Sequence, residues 1–585
     1  MSTPEQPPLS TPEYRPAQQF SATTRGLCSA AYIDHDFATA VIDEVVESER
    51  RAVPPSFGFD LDPVVRHCLR ARRLLIVRYT LVTVILLAGL LISPFLTLCW
   101  LAFCVAVEML RAPAGRRWQV LRFGAVTVVL LAAAVTVVSI TVVTLLARLT
   151  PDWLLERLLT GAVETSASAT ADQLVDALFS AALLVTLLPP VAMLAAMFLS
   201  RWHAYGIVFG ELAPGADGTA PQTRNDRVER RLATVARMQR GNIAVHDVNP
   251  YAGAGPFPDS RGTGGRSGDI GRSWSFAVTL RPRGAERNGH RVALDPHELN
   301  RRVNAAVLAL RDTSLRDGER IPNLYTVPYV AADGTRRRDD PLIDRQSGTP
   351  YTKASPETIA AIEACPQGGL RHYLRVVVPA NGKEIRTPDG RPILPAQDSG
   401  IEVTAFIHLA VEGGLLYTEF IALVLPPLRP GFRVADLLRA DRMVPLAAAD
   451  TARGFLTDNL YGPSRLIRIG WDAVRLRARM ARSAAEAEEL RYYDYGARFS
   501  VRDLASQETR TFMQKLDGTK YIKLLDKTVT EAVIGFLREQ GVDTGEFETN
   551  VANQTFGTLI FHGGVQNFGG ANTIHQANTT AGSGA

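Results

Sequence analysis

Residues 123–147 read FGAVTVVLLAAAVTVVSITVVTLLA. The run is uncharged and long enough to cross ~30 Å of hydrocarbon as a helix. Residues 177–200, ALFSAALLVTLLPPVAMLAAMFLS, form a second such run. Pro189–Pro190 predicts a kink in it, which neighbouring helices or water can satisfy. These two runs decide the class: a membrane α-helical region joined to soluble sequence.

Working outward, residues 74–110 are too long for one straight span and short for two, with Pro94 near the middle. One reading is a single long helix. The other is a hairpin broken at Ser93–Pro94, with arms at about 74–92 and 95–110. The flanks favour the hairpin. Arg66, Arg70, Arg72, Arg73 and Arg78 precede or open the run, and Arg111, Arg116, Arg117 and Arg122 follow it. Basic short segments stay cytoplasmic, so both flanks face the cytoplasm only if the run crosses twice or dips in and returns. Loop 148–172 lacks a basic excess and is placed outside. The expectation is four spans in the plasma membrane, multi-pass, with both termini cytoplasmic. The opening MSTPEQPPLSTPEYRP lacks the apolar core of a signal peptide.

An ionisable residue inside a span is a functional hypothesis by default. Arg78, Glu108 and Asp176 all sit near span ends, where long side chains snorkel. The small-residue-rich centres read more simply as a packed anchor.

Outside 74–200 the composition is that of an ordinary soluble chain, so the mean hydropathy of +0.03 averages two unlike parts. A net charge of +5 does not point to nucleic acid. The five cysteines, Cys28, Cys68, Cys99, Cys104 and Cys365, are odd in number and scattered with no CxxC pair, which argues against a disulfide framework and a structural zinc site.

The expected order is a polar, largely disordered segment at 1–65, the transmembrane region at 66–203 and a linker helix at 204–240. A cytosolic α+β domain at 241–445, a helical module at 446–546 and a Gly/Asn-rich tail at 547–585 follow. Strands are predicted at 241–248, 274–282, 324–330, 372–380, 401–413 and 415–427, the last two joined at Gly413–Gly414 in a hairpin. The sheet is expected to be mainly antiparallel. Asp295 reads as an N-cap, Pro296 as the first turn and Glu298 as the reciprocal partner.

Chemistry is sparse. The AGAG of 252–255 lacks the spacing of a phosphate loop and reads as a tight turn. His246, His290, His297, His372 and His408 are scattered singly, and Asp339–Asp340 reads as a solvated turn. No catalytic residue, metal site or cofactor is predicted. Residues 463–483 are amphipathic and basic. Arg465, Arg468, Arg475, Arg479 and Arg482 fall on one side, beside Leu466, Ile469, Ala473, Leu476 and Met480. Such a helix suits an anionic membrane surface; the plain alternative is a packed helix with a solvated basic face.

Two stretches carry a family likeness. GNIAVHDVNPYAGAGPFPDS with WSFAVTL, and YDYGARFSVRDLAS with KYIKLLDKTVTEAVIGFLREQGVDTGEF, resemble segments of an uncharacterised actinobacterial multi-pass membrane protein family. Its members pair a cytosolic α+β domain with a Gly/Asn-rich tail, and the resemblance implies no activity. Within the tail, Val565, Gln566, Phe568, Gly569, Asn572 and Ile574 are similar to the RIP homotypic interaction motif and bacterial amyloid-signalling relatives, with one extra residue near Asn567. Low charge with Asn, Gln and β-formers is the composition of cross-β stacking. The alternatives are an unstructured tail or a strand docked on the soluble domain.

The sequence thus predicts a non-enzymatic membrane protein with a cytosolic binding or assembly domain. The expected partners are the lipid bilayer, further copies of the chain and a cytosolic protein. The alternatives are a channel or pore-forming effector in defence or cell death, and an enzyme with its site near 249–256.

Overall fold

A computed structural model describes residues 7–111 except 93, 171–256, 271–284 and 292–557 except 317, 318, 397 and 510. It also describes the short strands at 560–561 and 564–565 and isolated positions between 118 and 129. The expected span 123–147 and most of the tail therefore lie outside the described residues.

The described part of the segment before residue 66 is folded, which corrects the expectation of a largely disordered segment at 1–65. Helix α1 (Ala22–Ile33) starts at Ser21, whose hydroxyl accepts the Thr24 N–H, and α2 (His35–Val41) starts at Asp34. A π-helical turn, Ile42–Glu47, continues α2. Leu27, Cys28, Phe37, Val41 and Val46 are buried in a helical core shared with the start of α3 (Leu61–Ile92). Burial of that many apolar side chains, at about 1.5–3 kcal/mol each, outweighs the polar composition of the flanking residues. The segment is also pinned from outside. The buried Arg231 of α6 (Asp226–Met238) donates to the carbonyls of Val45, Glu49 and Arg51 at 2.8–2.9 Å.

Helix α3 changes character along its length. Val64, Val65 and Cys68 are buried in the helical core, whereas Val77, Leu81, Val84, Leu91 and Ile92 point outward. Helix α4 (Pro94–Arg111) folds back on it. Leu86 and Leu90 pack with Leu101, and a Cβ on Gly89 would lie 3.0 Å from Thr97. The run 74–110 is thus two helices, one ending at Ile92 and the next starting at Pro94. Helix α5 (Ala171–Phe209) runs through Pro189–Pro190 and adds Met193 and Met197 to the same cluster. Leu61–Ile92 and Leu188–Phe209 are long and apolar enough to cross a membrane, while Thr97–Leu110 is apolar but shorter. Only 28% and 33% of the most apolar stretches of the two longer helices are buried, so most of their hydrophobic surface faces outward.

The part that carries the sheet is α+β. Its strands are β1 (Ile243–His246), β2 (Gly271–Thr279), β3 (Tyr325–Asp333), β4 (Leu370–Asn381), β5 (Asp398–Glu412) and β6 (Leu415–Leu425), ordered β1-β3-β4-β5-β6-β2. All neighbours are antiparallel except β1–β3. Glu412 pairs with Leu415, so Gly413–Gly414 is the hairpin loop, and both glycines have positive φ as a two-residue turn requires. One sheet face, with Val376, Val403, Ile407 and Phe420, is covered by α7 (Pro296–Leu308) and α10 (Phe512–Glu539). The predicted cap of α7 is half right. Asp295 accepts the His297 N–H at 2.9 Å, but Glu298 pairs with Arg301 instead of reaching back. Helix α10 is one continuous element within the expected helical module.

The opposite face carries Tyr329, Tyr373 and Phe406 and is covered by loop 249–256 through Tyr251 and Ala254. Helix α9 (Met443–Glu489) is the longest element of the chain's second half and joins the helical core to the apolar helices.

Candidate functional site

Helix α9 meets the apolar helices along one face. Gly454, Asp458 and Gly462 recur every four residues and so line up on it. A Cβ on Gly462 would stand 3.1 Å from Val82 of α3, and one on Gly454 would overlap the guanidinium of Arg201 of α5. Two glycines thus let three helices close around one carboxylate.

That carboxylate, Asp458, is buried and shared. Arg201 donates to one oxygen at 2.7 Å and Arg465, two turns along α9, donates to the other at 2.7 Å. Arg465 also donates to Tyr79 of α3 at 3.1 Å. A buried ion pair is tolerable only when its remaining donors and acceptors are satisfied. Here they are not. Arg201 Nη1 and both polar atoms of Asn459 are buried without a hydrogen-bond partner. Beside them opens a cavity of about 410 Å³, lined by Tyr32, Arg78, Arg201, Tyr205, Asp450 and Arg453 among others. Tyr205 donates to Asp450, which also pairs with Arg453. Arg78 donates through Nε to the neutral Ser200 at 2.9 Å.

A second cleft, of about 550 Å³, lies on the other half of α9, between it and the π-helical turn. Asp43 and Glu47 stand one turn apart there, facing Arg479 and Arg482. Arg479 pairs with Glu47 at 3.0 Å and with Asp472 at 3.3 Å. Burial, then the charge of Asp43, pushes the Glu47 carboxyl up to about 7.

The basic face of 463–483 is therefore divided between different surroundings. Arg465 and Arg479 are ion-paired, Arg482 lines the second cleft, Arg475 lies 4.1 Å over the Trp471 ring, and Arg468 is exposed. Of the apolar side predicted beside it, Ile469, Leu476 and Met480 are buried. A different apolar stripe, Ile467, Trp471 and Val474, is exposed beside Arg468 and Arg475. In the tail, Val565 lies in a short antiparallel pairing of Ile560–Phe561 with Gly564–Val565. Gln566, Phe568, Gly569, Asn572 and Ile574 lie outside the described residues.

Loop 249–256 is a structural cover. The Gly253 amide, which a phosphate would need, is donated to Asp503 at 2.8 Å. Gly255 has φ 118° and approaches Val424 so closely that a Cβ would sit 2.5 Å from its carbonyl oxygen. The histidines are less scattered than the sequence suggests. His297 and His372 both meet the buried Glu363 of α8 (Pro356–Ala364), at 2.6 and 3.0 Å. No group of three or more metal-binding side chains is present among the described residues. Asp339 and Asp340 pair with Arg337 and Arg336.

A model of the AbeC-like domain family matches residues 273–572, more than half of the chain. The chain belongs to that family. No curated protein and no solved structure matches it. The AbeC-like domain begins in β2 and includes α9, hence Asp458 and Arg465. Arg78, Arg201 and Tyr205 lie before it. The buried ion cluster is therefore where the AbeC-like domain is fastened to the apolar helices.

Proposed function

We propose that this chain is a multi-pass protein of the plasma membrane whose AbeC-like domain is a cytosolic, non-enzymatic binding and assembly module held against the spans. The observation that carries this is the shared use of α9. One continuous helix supplies Asp458 and two glycines to the apolar helices, and Leu476 and Met480 to the soluble core. A partner engaging the domain would thereby act on the spans directly, without a flexible tether.

The outward apolar faces of α3 and α5 support membrane insertion, and the packing of α4 back against α3 supports a hairpin. With 123–147 as a third crossing and 177–200 as a fourth, both termini lie in the cytoplasm. The exposed Ile467–Trp471–Val474 stripe, flanked by Arg468 and Arg475, suits contact with the anionic inner leaflet. Self-association through the tail is the assembly step we favour.

The test has two parts. The protein should stay in the membrane pellet through alkaline carbonate extraction. An impermeant maleimide should label the exposed Cys365 only after cells are permeabilised; labelling in intact cells overturns the orientation. For assembly, the full chain and a chain ending at residue 549 should differ in oligomer size in detergent.

A further inference from the structure

We infer that the cavity at the foot of α3 and α5 is a binding site for a phosphate group, the headgroup of an anionic phospholipid or a soluble phosphate. Arg78, Arg201 and Arg453 line the cavity with one carboxylate, Asp450, and behind Arg201 the Asp458 carboxylate is shared with Arg465, so four guanidiniums are set against two carboxylates. Two positive charges are left over. Two of these arginines also have donors to spare. Arg201 Nη1 is buried without an acceptor, and Arg78 is hydrogen-bonded to a neutral hydroxyl with no ion pair among the described residues. A buried, unmatched guanidinium N–H costs more than a hydrogen bond is worth. An oxyanion in the cavity would remove that cost, and arginine's planar fork matches phosphate oxygens. A volume of about 410 Å³ is within the range of small-molecule sites.

The position favours lipid as the source. On α3, Arg78 lies between the exposed Val77 and Leu81. On α5, Arg201 lies between the exposed Leu199 and Trp202. Both helices pass from apolar to polar at this level, and tryptophan there is typical of the membrane interface. The lipid source rests on the membrane reading above; the phosphate site itself does not.

The experiment uses the full chain in detergent and compares wild type with R78Q. That substitution removes one cavity charge and one bond to Ser200, leaving the Asp458 cluster intact. Native mass spectrometry reads retention of phosphatidylglycerol against phosphatidylcholine, and thermal shift reads stabilisation by inorganic phosphate. We expect R78Q to melt as wild type without ligand, to bind phosphatidylglycerol about tenfold more weakly, and to bind phosphatidylcholine unchanged. Stabilisation by inorganic phosphate that R78Q loses, without preference for phosphatidylglycerol, assigns the site to a soluble anion. That result stands even if carbonate releases the protein from membranes. If R78Q and wild type bind both probes equally, or wild type binds neither, there is no phosphate site here.

Discussion

Arg201 and Asp458, 257 positions apart in the chain, are joined by a 2.7 Å hydrogen bond that ties an apolar helix to the AbeC-like domain. Arg201 is 12% exposed and Asp458 5%, so the pair is nearly out of water. Such a pair is weak evidence for stability as a whole, but removing one member leaves an uncompensated charge. Asp458→Asn should therefore lower stability by about 3–5 kcal/mol, read as a drop in melting temperature in detergent. Arg465→Gln should cost less, because Arg465 is 35% exposed and water can replace part of what it loses. Equal effects from the two would mean that the cluster is not organised around Arg201.

The second cleft predicts a pH dependence. The Glu47 carboxyl is held at about 7 against an ordinary 4.5, first by burial and then by the charge of Asp43, with Arg479 and Arg72 opposing and Asp472 nearby. The folded state thus keeps a proton that the unfolded chain releases between those two values. Stability from this group is full below pH 4.5 and is lost as pH rises through 7. The loss amounts to roughly 3 kcal/mol. Glu47→Gln cannot lose that proton. The difference in unfolding free energy between E47Q and wild type should be near zero at pH 4 and favour E47Q at pH 8. A difference independent of pH would remove the protonated carboxyl from the account.

What the sequence revealed and what it hid follow physical lines. Period-two alternation and Gly413–Gly414 made the β5–β6 hairpin legible, because strand register and turn chemistry are local. Asp295 was legible as a cap for the same reason. Glu298 was misread because Arg301, three residues on, competes for its carboxylate. The fold of residues 22–65 is hidden from a local reading. Their burial depends on distant partners such as Arg231, although Ser21 and Asp34 ahead of apolar runs were readable cap signals. The Arg201–Asp458 cluster had no local signature at all. Asp458 is an ordinary helix residue until Gly454 and Gly462 bring two other helices against it. The basic helix was seen, but its exposed apolar stripe was hidden beside a buried one. Amphipathicity by itself does not tell which apolar side meets the core.

Loop 249–256 gives a sharp test of its structural role. Gly255 adopts φ 118°, open to glycine alone at little cost, and a Cβ there would stand 2.5 Å from the Val424 carbonyl. Gly255→Ala should destabilise by about 1–3 kcal/mol from the backbone alone, with the overlap added. Gly369, in open space with no positive φ recorded, is the control, and Gly369→Ala should leave melting within about 0.5 kcal/mol of wild type. An unaffected G255A would mean that the loop does not close the Tyr329–Phe406 face.

The exposed stripe on α9 makes the last prediction. Ile467, Trp471 and Val474 are 64%, 53% and 76% exposed, an unusual state for three large apolar residues in helical succession. The same helix inserts Gly462 between Tyr79 and Val82 of α3, so the stripe begins little more than one turn beyond the foot of that apolar helix. If it rests on lipid, Trp471 lies among acyl-chain carbons while Arg475, over its ring, reaches the phosphates. Reconstituted in bilayers with brominated lipids, wild type should lose more tryptophan fluorescence than W471F. The quenched fraction due to Trp471 should grow with anionic lipid content and shrink with salt, since only the arginine attraction is screened. In V474E the Trp471 contribution should fall, because a carboxylate beside the ring repels the leaflet that draws Arg475. Identical quenching in wild type and W471F would place the stripe in water or against protein, leaving α9 tied to the apolar helices alone, through its Asp458 face.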